Sequence, residues 1–151
     1  MRLTLAGRTQ NGLRLLLSLT EGGGELVTAA ELAVRSGVPA GNIPGLVSSL
    51  ARAGLVSSIR GRAGGCRLAR PAEEISILEV VGALGGPLTT PNCLLDSRRR
   101  HDGDGPYCAV HAAWLAGMEA ATDSLAHLSL ADALNVGEGE MSCHSCKGSL
   151  K

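Results

Sequence analysis

The sequence predicts a mostly α-helical chain with one small β-hairpin: a winged helix-turn-helix followed by a long dimerisation helix. Three observations lead there. Two short helical patterns flank a tight turn at Gly37. Two β-like segments around a Gly- and Arg-rich tip follow directly. An Ala-rich stretch from 106 to about 126 then reads as one helix of about five turns.

Each element has its own signal. In 8–20, Leu13, Leu16, Leu17 and Leu19 recur near helical spacing before the Glu21-Gly22-Gly23-Gly24 loop. Thr28 and Glu31 have the spacing of a capping box, in which hydroxyl and carboxylate satisfy each other's backbone N–H; Gly37 stops that helix. Ile43, Leu46, Val47 and Leu50 define the next helix, which Gly54 ends. Proline is tolerated only in a first turn, so Pro44 puts the start at about Ile43, with Asn42 near the cap. Leu55–Ile59 and Cys66–Ala69 read as strands around the tip Arg60-Gly61-Arg62-Ala63-Gly64-Gly65, whose glycines allow the positive φ that a hairpin needs.

Residues 75–84 form an apolar helix broken by Gly85-Gly86-Pro87. The 85–105 loop is long for a compact domain, a length usually tied to function. The long helix carries an apolar stripe of Val110, Trp114, Leu115, Met118 and Leu125. It has little of its own domain to pack on, so the stripe points to a second copy and a C2 homodimer. A short helix near 128–134 follows, and 135–151 reads as a flexible tail. The expected organisation is therefore a DNA-binding unit at 1–84, a loop at 85–105, the dimerisation and final helices at 106–134, and the tail.

The net charge of zero hides an asymmetry. Residues 1–70 carry nine arginines against three acids, a surplus of six; residues 71–151 carry the opposite surplus. The basic half suits an anionic partner, and twelve of the fourteen basic residues are Arg, whose fork fits phosphate and guanine. Arg60, Arg62, Arg67 and Arg70 load the hairpin as a wing on a phosphate backbone would need. Phenylalanine is absent and the aromatics are Tyr107 and Trp114, so the core must come from Leu, Val, Ala and Ile. No apolar run approaches the ~20 residues of a membrane span. The N-terminus has no apolar leader, so a cytoplasmic protein is expected, and its five cysteines point to metal or redox chemistry. No Ser-His-Asp or phosphate-cradling pattern argues for an enzyme.

The stretch RGRAGGCRLARPAEEISILEVVGAL, with MRLT at the start, ELA in the second helix, LARAGLVSS before the wing and SLADAL near the end, resembles the IscR/NsrR/RirA-type bacterial regulators. The resemblance covers 1 to about 134 and implies a dimeric winged-helix transcription factor, a repressor, on a pseudo-palindromic operator in double-stranded DNA. Many members hold an iron–sulfur cluster in the loop before the dimer helix, which makes 85–105 a sensor loop. Cys93 stands where the first cluster Cys lies, Cys108 where the last lies, and His111 where some members use a fourth ligand. Cys108 and His111 fall one helical turn apart on one side.

The family's middle Cys is missing. His101 and Asp102 sit about there, and either, or Cys143 or Cys146 from the tail, is a candidate last ligand. Gln10 stands roughly where some nitric-oxide-sensing relatives carry an Asp ligand, and Gln is a poor substitute. Two Cys and a His suit a [2Fe–2S] centre better than [4Fe–4S]; zinc is the alternative. The implied mechanism is a redox, nitric-oxide or iron switch of DNA affinity. Thr28, Asn42, Ser48, Ser49, Arg52, Arg60, Arg62 and Arg67 are the expected DNA contacts. Asn42, Pro44 and Gly45 depart from the residues common in relatives, so the operator sequence is not inherited. Cys66 reads as a packed wing residue and His127 as an ordinary helix end.

Overall fold

The computed structural model describes residues 5–61, 64–85 and 109–135. The order is α1 (Gly7–Glu21), α2 (Ala29–Ser36), α3 (Ile43–Arg52), β1 (Val56–Ile59), β2 (Gly65–Leu68), α4 (Ile77–Gly85), α5 (Ala109–His127) and α6 (Leu130–Asn135). Single 3-10 turns precede α3 and α4. This is the predicted helical chain with one antiparallel hairpin; helix starts and stops fall within one or two residues of the sequence reading, except that α5 is described from Ala109 rather than 106.

The core is aliphatic, as the composition requires. Leu15, Leu16 and Leu19 of α1 meet Leu32 of α2, Ile43, Leu46 and Leu50 of α3, and Val80 and Val81 of α4. A fully buried Leu contributes about 1.5–3 kcal/mol over an exposed one, so α1 alone supplies three such anchors. Between α2 and α3, Gly37 takes φ of 65°, the left-handed cap the turn needs.

Three helices start with the same device. Thr28 with Glu31, Ser76 with Glu79, and Ser129 with Asp132 each pair a hydroxyl with the carboxylate three residues on, and each carboxylate also accepts from the capping residue's backbone N–H. The three carboxyls titrate below their ordinary values because these hydrogen bonds favour the anion; Arg70 adds to the effect at Glu79.

Two features differ from the sequence reading. Val27, just before α2, bridges Cys66 by a reciprocal backbone pair at 2.9 and 2.8 Å, giving the hairpin a third, one-residue strand. The C-terminal helix also packs on the N-terminal elements. Leu130 of α6 is fully buried in the N-terminal core, and backbone bonds from Ile77 N to Leu128 O and from Leu130 N to Ile75 O stitch the C-terminal helix back onto the start of α4. A two-residue backbone match of this kind has no hydrophobic period to announce it.

Gly65 is pressed onto the Val27 seam. A Cβ there would stand 2.6 Å from the Val27 carbonyl oxygen and 2.9 Å from its carbon, both backbone atoms that cannot swing aside. Gly65→Ala should therefore cost about 1–3 kcal/mol, as overpacking does. Urea unfolding should show a lower midpoint at unchanged slope; an unchanged midpoint would mean the seam yields freely. The caps predict the acid limb. Each carboxyl's folded pKa lies below its unfolded one, so its contribution is complete above the unfolded value and is lost as pH falls through the folded one. Glu79→Gln should lower the melting temperature at neutral pH, and the gap to wild type should close as pH drops below the ordinary Glu value of 4.5.

Candidate nucleic-acid interface and ligand positions

The helix-turn-helix presents α3 through Pro44, Gly45, Ser48 and Arg52, all exposed, while Ile43, Leu46 and Leu50 face the core. Pro44 lies in the first turn, as its missing N–H requires. Asn42 is the residue before α3 and is exposed, but its side chain makes no capping bond. The outward face of α3 therefore carries small groups and one long cation, Arg52.

Ser49 is not on that face. It is 7% exposed and accepts from Arg8 Nη2 of α1 at 2.6 Å, with Arg52 Nη2 at 3.5 Å. Ser48 and Ser49 are adjacent, about 100° apart around the helix, and only one of the two can face out; the apolar neighbours Leu46 and Leu50 put Ser49 inside. The same Arg8 nitrogen lies 3.5 Å from the Gly45 carbonyl oxygen. Arg8 drew no attention in the sequence. Its signal was an Arg in a helix's first turn with no acid nearby in the chain. The Thr28 hydroxyl donates to Glu31 Oε2 at 2.9 Å, so it is engaged in the cap at the start of α2.

In the hairpin, Val56 pairs with Leu68, Ser57 with Arg67, Ser58 with Cys66 and Ile59 with Gly65. Gly61 takes φ of 123° at the tip. Arg60 and Arg67 are exposed; Arg62 lies outside the described residues. Arg70 was expected with them and is instead neutralised, its Nη2 2.6 Å from Glu79 Oε1 and its Nη1 donating to the Glu74 carbonyl at 3.3 Å. That is the one ion pair among the described residues, so Arg8, Arg52, Arg60 and Arg67 keep uncompensated charge.

The described residues hold one of the expected metal ligands. His111, in the first turn of α5, is 1% exposed, the one fully buried residue of that helix. Cys93, His101, Asp102, Cys108, Cys143 and Cys146 lie outside the described residues. Cys108 directly precedes α5 in the chain, three residues before His111. Cys66 is 3% exposed, its Sγ 3.7 Å from the Val27 carbonyl oxygen. Burial pushes its thiol further up, so it stays neutral and is unsuited to nucleophilic or ligand chemistry. His127 Nδ1 lies 2.8 Å from the Asp123 carbonyl oxygen, a helix-end contact. On α5, Trp114, Leu115 and Met118 are half-buried, Leu125 packs on the chain's own core, and Val110 is 50% exposed. The expected dimer stripe is thus partly used within the chain.

Residues 5–136 match the Rrf2 family, described as iron-dependent transcriptional regulators. An rrf2-like regulator of Rhodobacter capsulatus is 39% identical over 70 residues, 46% of this chain and 47% of that protein, so the chain spans about half of that relative's length. The regulator IscR of Photorhabdus laumondii is 33% identical over 135 residues, 89% of this chain and 80% of that protein. Among solved structures, the oxidised form of Staphylococcus aureus CymR is 26% identical, with a TM-score of 0.65 over 91% of this chain and 98% of that one. These matches are with transcriptional regulators rather than enzymes. A family match across residues 5–136, together with a winged helix-turn-helix and uncompensated arginines on its hairpin, places the chain in the Rrf2 family of transcriptional regulators.

Proposed function

We propose that the chain is a homodimeric repressor, working in the cytoplasm, whose affinity for a pseudo-palindromic operator is set by a [2Fe–2S] centre held by Cys93, Cys108 and His111. The observation that carries this reading is the fully buried His111, in the first turn of the helix that begins just after Cys108. A buried imidazole one turn from a Cys, with thiolates in the loop before it, is a donor set that suits iron–sulfur centres and Zn²⁺. When bound, such a centre supplies one-electron chemistry and reactivity toward oxidants or nitric oxide. The chain's own part is to hold the imidazole out of water and to choose it over a third thiolate. That choice makes the donor set one charge less negative, which raises the potential. His101, Asp102, Cys143 and Cys146 remain the candidates for the last position.

On the DNA side, α3 enters the major groove with Ser48 and Arg52 toward base edges and Asn42 at its start. Arg60, Arg62 and Arg67 lie on phosphates, and Thr28 stands at the start of α2 beside the backbone. The exposed Val110 and half-buried Trp114 and Met118 are the part of α5 that a second copy would cover. No described helix is long and apolar enough to cross a membrane. A thiol- or zinc-based regulator is the second reading, favoured by the likeness to an oxidised CymR.

Anaerobic purification separates the two. The expected protein is coloured and contains iron and acid-labile sulfide, and Cys93→Ala, Cys108→Ala and His111→Ala each lose most of both. A colourless protein holding one zinc per chain would overturn the iron–sulfur reading, and a full cluster in Cys93→Ala would overturn the ligand assignment. On DNA, log K should fall linearly with log salt, and Arg60→Ala combined with Arg62→Ala should flatten the slope. An unchanged slope would take the wing off the backbone.

A further inference from the structure

Arg8 has no acidic partner among the described residues. Its nearest partners are a neutral hydroxyl, Ser49 Oγ at 2.6 Å, and a carbonyl, Gly45 O at 3.5 Å. A second guanidinium, from Arg52, reaches the same Ser49 oxygen at 3.5 Å. Two cations converge on one hydroxyl, and no carboxylate pairs with either among the described residues. Like charges brought together without a counter-charge are destabilising unless an anion joins them.

The surroundings of Arg8 also favour an anion. An open cleft between the start of α1 and the start of α3 is lined by Gly7, Arg8, Asn11, Gly41, Asn42 and Gly45. A Cβ at Gly7, Gly41 or Gly45 would meet nothing within 4 Å, so no side chain fills the cleft at these positions. Ala6, the N-cap of α1, has no side chain to satisfy the first-turn N–H groups, and no acid lies in that turn.

The position fits one source of anion. An α-helix with its side chains is about 10–12 Å across and the DNA major groove is about 12 Å wide. A recognition helix therefore fills the groove, and whatever lies against its flank stands over the groove wall, which is phosphate. Arg8 lies against the flank of α3, beside Gly45 and Ser49.

We propose that Arg8, steadied by Ser49 and assisted by Asn11 and Asn42, is a phosphate ligand of the DNA backbone carried on α1, outside both the recognition helix and the wing. The site rests on the reading of the chain as a DNA binder, and the test keeps the two apart. Binding to a mixed-sequence duplex is followed by fluorescence anisotropy across a salt series, for wild type, Arg8→Ala, Arg8→Lys and Ser49→Ala. Arg8→Ala should lower the magnitude of the log K against log salt slope by about 0.9 for each Arg8 in the complex. Arg8→Lys, which keeps the charge, should retain the slope, while Ser49→Ala, which removes the hydroxyl that steadies the guanidinium, should lower it by less than Arg8→Ala does. A slope unchanged in Arg8→Ala, or lowered equally in Ser49→Ala, would make Arg8 only a brace for the recognition helix and would overturn the proposal. A wild type with no salt-dependent binding would instead sink the DNA reading itself. Inorganic phosphate added at constant ionic strength should compete no better than chloride; stronger competition that vanishes in Arg8→Ala would assign the site to free phosphate and overturn the backbone assignment.

Discussion

The burial of Leu15, Leu16 and Leu19 along one side of α1 is the interaction on which the rest of the fold depends. That side meets the helix-turn-helix, α4 and the returning α6, so one helix holds the reading head and the C-terminal part in a common frame. With no phenylalanine in the chain, these contacts are made by small branched side chains. Elements then come close wherever a glycine permits: Gly65 against Val27, and Gly12 of α1 against Leu84 at the end of α4. The same helix carries Arg8 onto the recognition helix, so the frame and the DNA-facing surface are continuous.

This arrangement gives physical content to the split in charge. The basic half forms the helix-turn-helix and hairpin, where Arg8, Arg52, Arg60 and Arg67 form no ion pair among the described residues. Among the described residues its one neutralised member, Arg70, is held by Glu79 at the point where the acidic half begins. α4 ends at Gly85, directly after the Leu84 that rests on Gly12, and His111 is buried within the first turn of α5.

Much of this was legible in the sequence because local signals and burial agreed. Leu46 and Leu50 at helical spacing, Pro44 in a first turn, Gly37 as a stop and the Thr28–Glu31 box each have one local meaning. The boxes at Ser76–Glu79 and Ser129–Asp132 follow the same spacing and were readable by the same rule. Illegible were contacts between distant segments: the Val27–Cys66 bridge, the return of Leu130 to the core, Arg70 captured by Glu79, and Ser49 turned inward to Arg8. Each is decided by which residues the fold brings together, and a polar residue's partner cannot be read from its neighbours in the chain. The place of His111 near the start of the long helix was legible, and its burial was not.

The central claim is that the cysteine half sets the DNA affinity of the arginine half. The direct measurement is the Kd for an operator that the protein itself selects from a random duplex pool. It is measured at one fixed salt concentration with anaerobically purified protein and with the same protein after chelator treatment. The account predicts a difference of about 5–150-fold, the usual range of a coupling between two sites. Equal Kd values for a folded protein in both states would contradict it.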